Sequence, residues 1–305
     1  MRYIAVIVLA AILVFGCAGP APPAVPGATP PIAPGGPEPG PSGEECTPSY
    51  SFSDLDGGVL SKTSSIVATV TCAAGKSIVV KLDGVQAASV LPESNATAPI
   101  KLEFYPRTEG TLKLTVESDG ETVYSRDWAV VPLGNDETKG LENDAVSFKE
   151  WRAMAVDIEN PISADKVRIF MKRIDEKTQP GTEIVVEIRD DKGGNPGNVI
   201  SSVRRPTNVT TLSDNWITFD FEDDPALGKG RYWIVMRVDQ TEGVTVVSDK
   251  VNVHYVPVDK QAEGNDYTRQ MMLEVNQQTG EASETEWTPL SYDRIYTMIL
   301  TGAKK

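Results

Sequence analysis

Histidine is nearly absent: His254 is the only one in 305 residues. Acyl-transfer triads, most zinc sites and many proton shuttles use imidazole, so each of those chemistries has one residue to draw on. His254 lies in Val251-Asn252-Val253-His254-Tyr255, a run that alternates like a strand, and it reads as an ordinary strand residue. The chain also has no G-x-S-x-G turn, no G-x-x-x-x-G-K-[ST] and no G-x-G-x-x-G, which removes the usual nucleophile elbow and the common phosphate cradles. A zinc site built on cysteine would consume Cys46 and Cys72 and still want two ligands. Segments with helical periodicity of useful length are missing as well. Positive charge is short, with Lys and Arg numbering 29 against 43 Asp and Glu for a net charge of -14. Such a surface repels nucleic acid and anionic headgroups, so no nucleic-acid partner is expected.

Long apolar runs are confined to residues 3–15, just before Gly16-Cys17. That run is too short to span a bilayer and reads as the h-region of a signal peptide. A cysteine directly after a small residue is a lipoprotein acceptor, which predicts a signal peptide over residues 1–16, a diacylglyceryl group on Cys17 and a lipid-anchored extracytoplasmic protein at the cell surface. Ordinary secretion and an uncleaved anchor are the alternatives, and all three export the chain. Residues 18–45 are dominated by Pro, Gly and Ala, a disordered linker that polyproline II would extend to on the order of 80 Å. With Cys17 taken by lipid, Cys46 and Cys72 remain as a pair in an oxidising compartment, and a disulfide is expected.

The rest of the chain predicts an all-β protein. Residues 46–134 carry short period-two runs, as at 64–72 and 111–117, with turn signals at Asp83-Gly84 and Asp119-Gly120. About 90 residues with roughly seven such strands fit an Ig-like β-sandwich. The segment 109–132, EGTLKLTVESDGETVYSRDWAVVP, resembles the closing strands of many prokaryotic Ig-like surface modules, which mostly act as spacers. A polar, turn-prone stretch at 134–144 separates it from a second β-region, residues 145–303, whose clearest strands fall at 166–174, 183–189, 198–203, 216–221, 230–238, 244–255, 270–276 and 294–300. So many strands with long loops between them suggest a jelly-roll β-sandwich.

The succession Asp165-Lys166-Val167-Arg168-Ile169-Phe170, then 183–197 (EIVVEIRDDKGGNPG), then Trp216-Ile217-Thr218-Phe219-Asp220-Phe221, then Gly230-Arg231-Tyr232-Trp233-Ile234-Val235-Met236 resembles a jelly-roll accessory domain of prokaryotic exported proteins, the choice-of-anchor R type. Glu286-Trp287-Thr288-Pro289 with Asp293-Arg294-Ile295-Tyr296 fits its usual ending, and the likeness covers about half the chain. It implies surface anchoring and a jelly roll, and it assigns no catalytic residue. Residues 244–266 carry fewer aromatics than the resemblance would suggest.

Sugar-binding jelly rolls hold pyranose rings against flat aromatic faces, so the aromatics of the second region are the candidate ligand site. Trp287, Tyr255, Tyr267 and Tyr292 lie near loops and are expected to be exposed. In 216–221, Ile217, Phe219 and Phe221 share one face and Trp216 the other, more polar one. Trp216 and Trp233 read first as core residues, with Trp216 kept as a candidate. Asp190, Asp191 and Asn195 offer hard oxygens beside Gly193 and Gly194, which suits structural calcium, although the same letters make a hairpin turn. No other cofactor is expected. Carboxylates are plentiful, but they gather in turns such as Glu222-Asp223-Asp224, where solvation accounts for them, and no catalytic residue is assigned. The expected role is non-catalytic binding of a glycan or cell-surface polymer. The alternatives are a structural cell-envelope or S-layer-associated protein making protein–protein contacts and, last, a glycan-active hydrolase.

Overall fold

The computed structural model describes residues 46–303 apart from 137, 139–140, 175–181, 241–249, 258–267, 276–281 and 291–293. Cys17, Tyr267 and Tyr292 lie outside the described residues. All regular structure among the described residues is β, save one 3-10 turn at Thr207–Val209. No helix of the described residues is long and apolar enough to cross a membrane.

The first strands are β1 (Ser49–Phe52), β2 (Gly58–Val59), β3 (Ser64–Thr71), β4 (Ile78–Leu82), β5 (Val85–Val90), β6 (Ala98–Phe104), β7 (Gly110–Ser118), β8 (Glu121–Val131) and β9 (Leu133–Gly134). Sheet I has the order β1-β3-β6 and sheet II the order β2-β8-β7-β4-β5. Every pairing in them is antiparallel except β2 with β8. Alternate residues of the two sheets meet in one core around Ile66, Val80, Leu102, Leu114 and Trp128, the packing a half-buried antiparallel strand dictates. Cys46 and Cys72 are joined, with Cα atoms 5.6 Å apart at a sequence separation of 26.

The strands that follow are β10 (Glu142–Ser147), β11 (Glu150–Ile158), β12 (Ile162–Arg173), β13 (Thr182–Asp191), β14 (Pro196–Pro206), β15 (Asn215–Asp220), β16 (Ala226–Leu227), β17 (Gly230–Gln240), β18 (Lys250–Pro257), β19 (Thr268–Val275), β20 (Ala282–Glu284), β21 (Thr288–Pro289), β22 (Arg294–Tyr296) and β23 (Met298–Gly302). Sheet III runs β10-β18-β12-β23-β9 with β15, β16 and β22 attached, and sheet IV runs β14-β13-β17-β11-β19-β20 with β21 attached. Val167, Ile169, Phe219, Val253 and Leu300 from sheet III meet Met154, Ile184, Val186, Ile234 and Met236 from sheet IV in the larger core. Leu60 and Leu133, which precede this region in sequence, pack in that core too. Both sandwiches belong to one compact unit, Cys46–Lys305.

Polar contacts join the sandwiches. Ser61 Oγ donates to Asn160 O at 2.8 Å and accepts the backbone N–H groups of Glu159 and Asn160 at 2.9 and 3.0 Å. Asn160 Nδ2 donates to Ser61 O at 2.8 Å. Lys62 pairs with Glu159 at 2.8 Å, and the N–H of Gly302 donates to Glu109 Oε2 at 2.9 Å.

Candidate functional site

Sheet IV has two covered faces. Trp151, Ala153 and Ala155 of β11, Trp233 and Val235 of β17 and Met271 of β19 form an apolar cluster separate from the main core. They alternate with the core-facing residues of the same strands, so the cluster lies on the sheet's outer face. Trp287, in the connection from β20 to β21, packs against it with its ring 6.4 Å from that of Trp151. Trp287 is only partly buried, whereas Trp151 and Trp233 are 5% and 0% exposed.

Beside the tryptophans lies a buried ion cluster. Glu187 accepts from Arg189 Nε at 2.7 Å and from Arg237 Nη2 at 3.0 Å, and both guanidinium groups rest near the Trp151 ring, at 5.7 and 4.7 Å. Burial pushes the Arg237 guanidinium below its ordinary value, Glu187 opposes the shift, and the neighbouring charges of Arg204 and Arg189 add to it. Removing Glu187 from so enclosed a position would take from buried Arg189 its carboxylate partner, whereas Arg237 would keep Asp239.

The turn from β13 to β14 is pinned onto this face. Asp191 Oδ1 accepts Trp233 Nε1–H at 2.8 Å and its Oδ2 accepts the N–H of Gly194 at 3.1 Å. Asp190 accepts the backbone N–H of Asn198 at 2.5 Å and its Nδ2 at 3.1 Å. Arg269, 7% exposed on β19, donates from Nε to Gly194 O and to Asn195 Oδ1, both at 3.0 Å, and its guanidinium lies 5.2 Å from the Trp233 ring. Between this turn and residues 284–287 opens a cleft of about 500 Å³, lined by Arg189, Lys192, Asn195, Asn198, Glu284, Glu286 and Trp287 among others.

The structure therefore brings Trp287 and Asn195 to one cleft, with Asp190 and Asp191 in the turn that walls it. The oxygens expected to suit calcium accept hydrogen bonds from Trp233, Gly194, Asn198 and Arg269. Among the described residues, no three His, Cys, Asp or Glu side chains are grouped to hold a metal ion.

Two candidates go elsewhere. Tyr255, expected to be exposed, is 6% exposed in the main core, where its hydroxyl donates to Glu142 at 2.5 Å and its ring meets that of Tyr296 edge-on. It shares a strand face with Val251 and Val253, and this alternation outweighs its nearness to a loop. Trp216 is not a core residue: it is partly buried on the outer face of sheet III, its ring 5.4 Å from Phe170 and beneath the guanidinium of Arg168 at 5.1 Å. His254 lies on that face too, 4% exposed, with Nε2 and Asp214 Oδ1 2.8 Å apart. Trp233 is fully buried as expected, though against the outer cluster rather than the main core.

No protein-family model matches the chain, and no curated protein matches it in sequence. Among solved structures, one from work on the promiscuous specificity of carbohydrate-binding modules of the β-sandwich superfamily aligns at 13% identity and a TM-score of 0.22, over 70% of this chain and 97% of that one. SGBP-B from a complex xyloglucan utilization locus in Bacteroides uniformis aligns at 12% identity and a TM-score of 0.17, over 63% of this chain and 73% of that one.

Sequence patterns missed Trp151, Arg189, Arg269 and Asn198. Arg269 left one signal, a charge at an otherwise cluster-facing position beside Met271, but only the fold supplies the turn it reaches.

A second cavity, of about 630 Å³, lies where the sandwiches meet and is lined by Leu82, Val85, Tyr105, Arg107, Ile162 and Leu227 among others. It has a more apolar lining and none of the candidate residues.

Proposed function

We propose that this chain is a non-catalytic glycan-binding protein of the cell surface, and that the cleft beside Trp287 holds the sugar. The carrying observation is the pairing, at one opening, of a partly exposed indole with amide side chains fixed by Arg269 and Asp190. A pyranose ring has an apolar C–H face for the indole and a rim of hydroxyls for amides, carboxylates and guanidinium, and ligand sites of this size combine apolar walls with a few placed polar groups. Surface display follows from Cys17 as the lipid acceptor, residues 17–45 as the stalk, residues 46–134 as an Ig-like spacer and residues 145–303 as the binding jelly roll. The resemblance to the choice-of-anchor R type agrees with that arrangement.

A structural role in the envelope, with protein neighbours as partners, is the second reading. The deciding experiment is a glycan array probed with the exported chain and with Trp287→Ala. The glycan reading expects saturable binding by the wild type, a loss of at least tenfold in the variant and an unchanged melting temperature. An empty array would favour the envelope reading, and release of soluble products from a polysaccharide would make the protein a hydrolase.

A further inference from the structure

The two amides of the cleft have their orientations fixed by chemistry. An arginine Nε can only donate, so the oxygen of the Asn195 side chain must face Arg269, and the observed contact at 3.0 Å is with Oδ1. A carboxylate can only accept, so the nitrogen of the Asn198 side chain must face Asp190, as it does at 3.1 Å. Neither amide is free to exchange its ends without setting donor against donor or acceptor against acceptor. What remains is a donor, Asn195 Nδ2, and an acceptor, Asn198 Oδ1, on two residues that line the cleft together with Trp287.

Resting on the glycan-binding reading, we infer that Asn195 and Asn198 are specificity-determining residues that select uncharged, polyhydroxylated sugars through a fixed donor and a fixed acceptor. A hydroxyl is both donor and acceptor, so two neighbouring hydroxyls satisfy the pair, one accepting from Asn195 and the other donating to Asn198. A carboxylate or sulfate has acceptors alone. It would oppose the oxygen of Asn198 and meet the carboxylates of Glu284 and Glu286, which line the same cleft. Arg189 does not reverse this preference, because its Nε and Nη2 are directed at Glu187, and Lys192, the other cation lining the cleft, is outnumbered there by Glu284 and Glu286. Arg269 is the positioning residue: buried over Trp233, it holds Gly194 O and Asn195 Oδ1 together, as a bound cation would in a turn so rich in oxygen.

Asn195→Asp isolates the claim, since it keeps an oxygen toward Arg269 and turns the cleft-facing donor into an acceptor with no change of size. On an array carrying neutral, uronate and sulfated oligosaccharides, the wild type is expected to bind neutral members. The variant is expected to bind them at least tenfold more weakly with its melting temperature kept. Retained binding by the variant would overturn the inference and leave the glycan reading standing, as would a wild type that binds only charged members. A fall in the variant's melting temperature would assign Asn195 to the fold of the turn and overturn its role in selection. A wild type that binds nothing would sink both this inference and the glycan reading.

Discussion

A single methyl group tests the packing at Gly58. A Cβ there would collide with the ring of Trp128, which is 1% exposed and held by a bond from Nε1 to Asp56 O at 2.7 Å. Overpacking of that kind costs about 1–3 kcal/mol, so Gly58→Ala is expected to lower the urea midpoint while leaving the slope of the transition unchanged. An unaltered midpoint would show that the ring can move aside. At this scale the sequence was legible where a side chain's surroundings are local. Trp287 stood out as a tryptophan in a polar connection, and Cys46 and Cys72 as the pair left after Cys17. Tyr255 was misread because its strand face, not its distance from Pro257, decides burial, and its partners Glu142 and Tyr296 come from strands far away in the chain. Asn198 gave no signal, since its worth as an acceptor arises only once Asp190 has taken its nitrogen.

Among the elements, β7 and β8 show what pattern can do. Leu112, Leu114 and Val116 alternate into the core, and Asp119 and Gly120 take the positive φ values of 49° and 87° that a tight hairpin turn requires. The opposite case is β11, which pairs with both β17 and β19 and went unrecognised. Its residues 151–156 are all buried, because Met154 and Val156 face the main core while Trp151, Ala153 and Ala155 face the outer cluster. A strand covered on both faces loses the period-two signal. The β13–β14 turn carries a prediction of its own. A Cβ at Gly197 would strike the Asp190 carboxylate, the group that fixes Asn198. Gly197→Ala is therefore expected to speed hydrogen exchange in residues 192–198 and to weaken sugar binding while the melting temperature falls only slightly. Exchange at the wild-type rate would mean that the turn does not depend on that contact. Closure of the chain between Cys46 and Cys72 is expected to contribute about 3 kcal/mol, read as a lower melting temperature after reduction.

As a whole molecule, the two sandwiches are expected to unfold together, because Leu60 sits in the larger core and the Ser61 hydroxyl makes three hydrogen bonds across the junction. Fluorescence and far-UV circular dichroism should give coincident transitions; two separated transitions would show that the junction is weak. Acid should act there. Hydrogen bonds from Lys62 and from the backbone of Thr63 hold the Glu159 carboxyl below its ordinary value of 4.5. A carboxylate depressed in the folded state contributes stability that is fully present above its unfolded pKa and is lost as pH falls through the folded one. The junction should thus loosen below about pH 4.5, with a small effect because the pair is exposed to solvent. Lys62→Met should reduce that acid dependence. This junction was invisible in the pattern of residues, which marks strands and turns but not which sandwich a leucine at position 60 will enter.

Binding of sugar at the cleft of sheet IV is directly measurable through the five tryptophans. In a two-dimensional amide spectrum each indole N–H gives its own signal, and a neutral oligosaccharide positive on the array can be titrated against all of them. The signal of Trp287 is expected to shift in a saturable way while those of Trp128 and Trp216 stay in place. A saturable shift at Trp216 with Trp287 unmoved would put binding on sheet III and contradict the account.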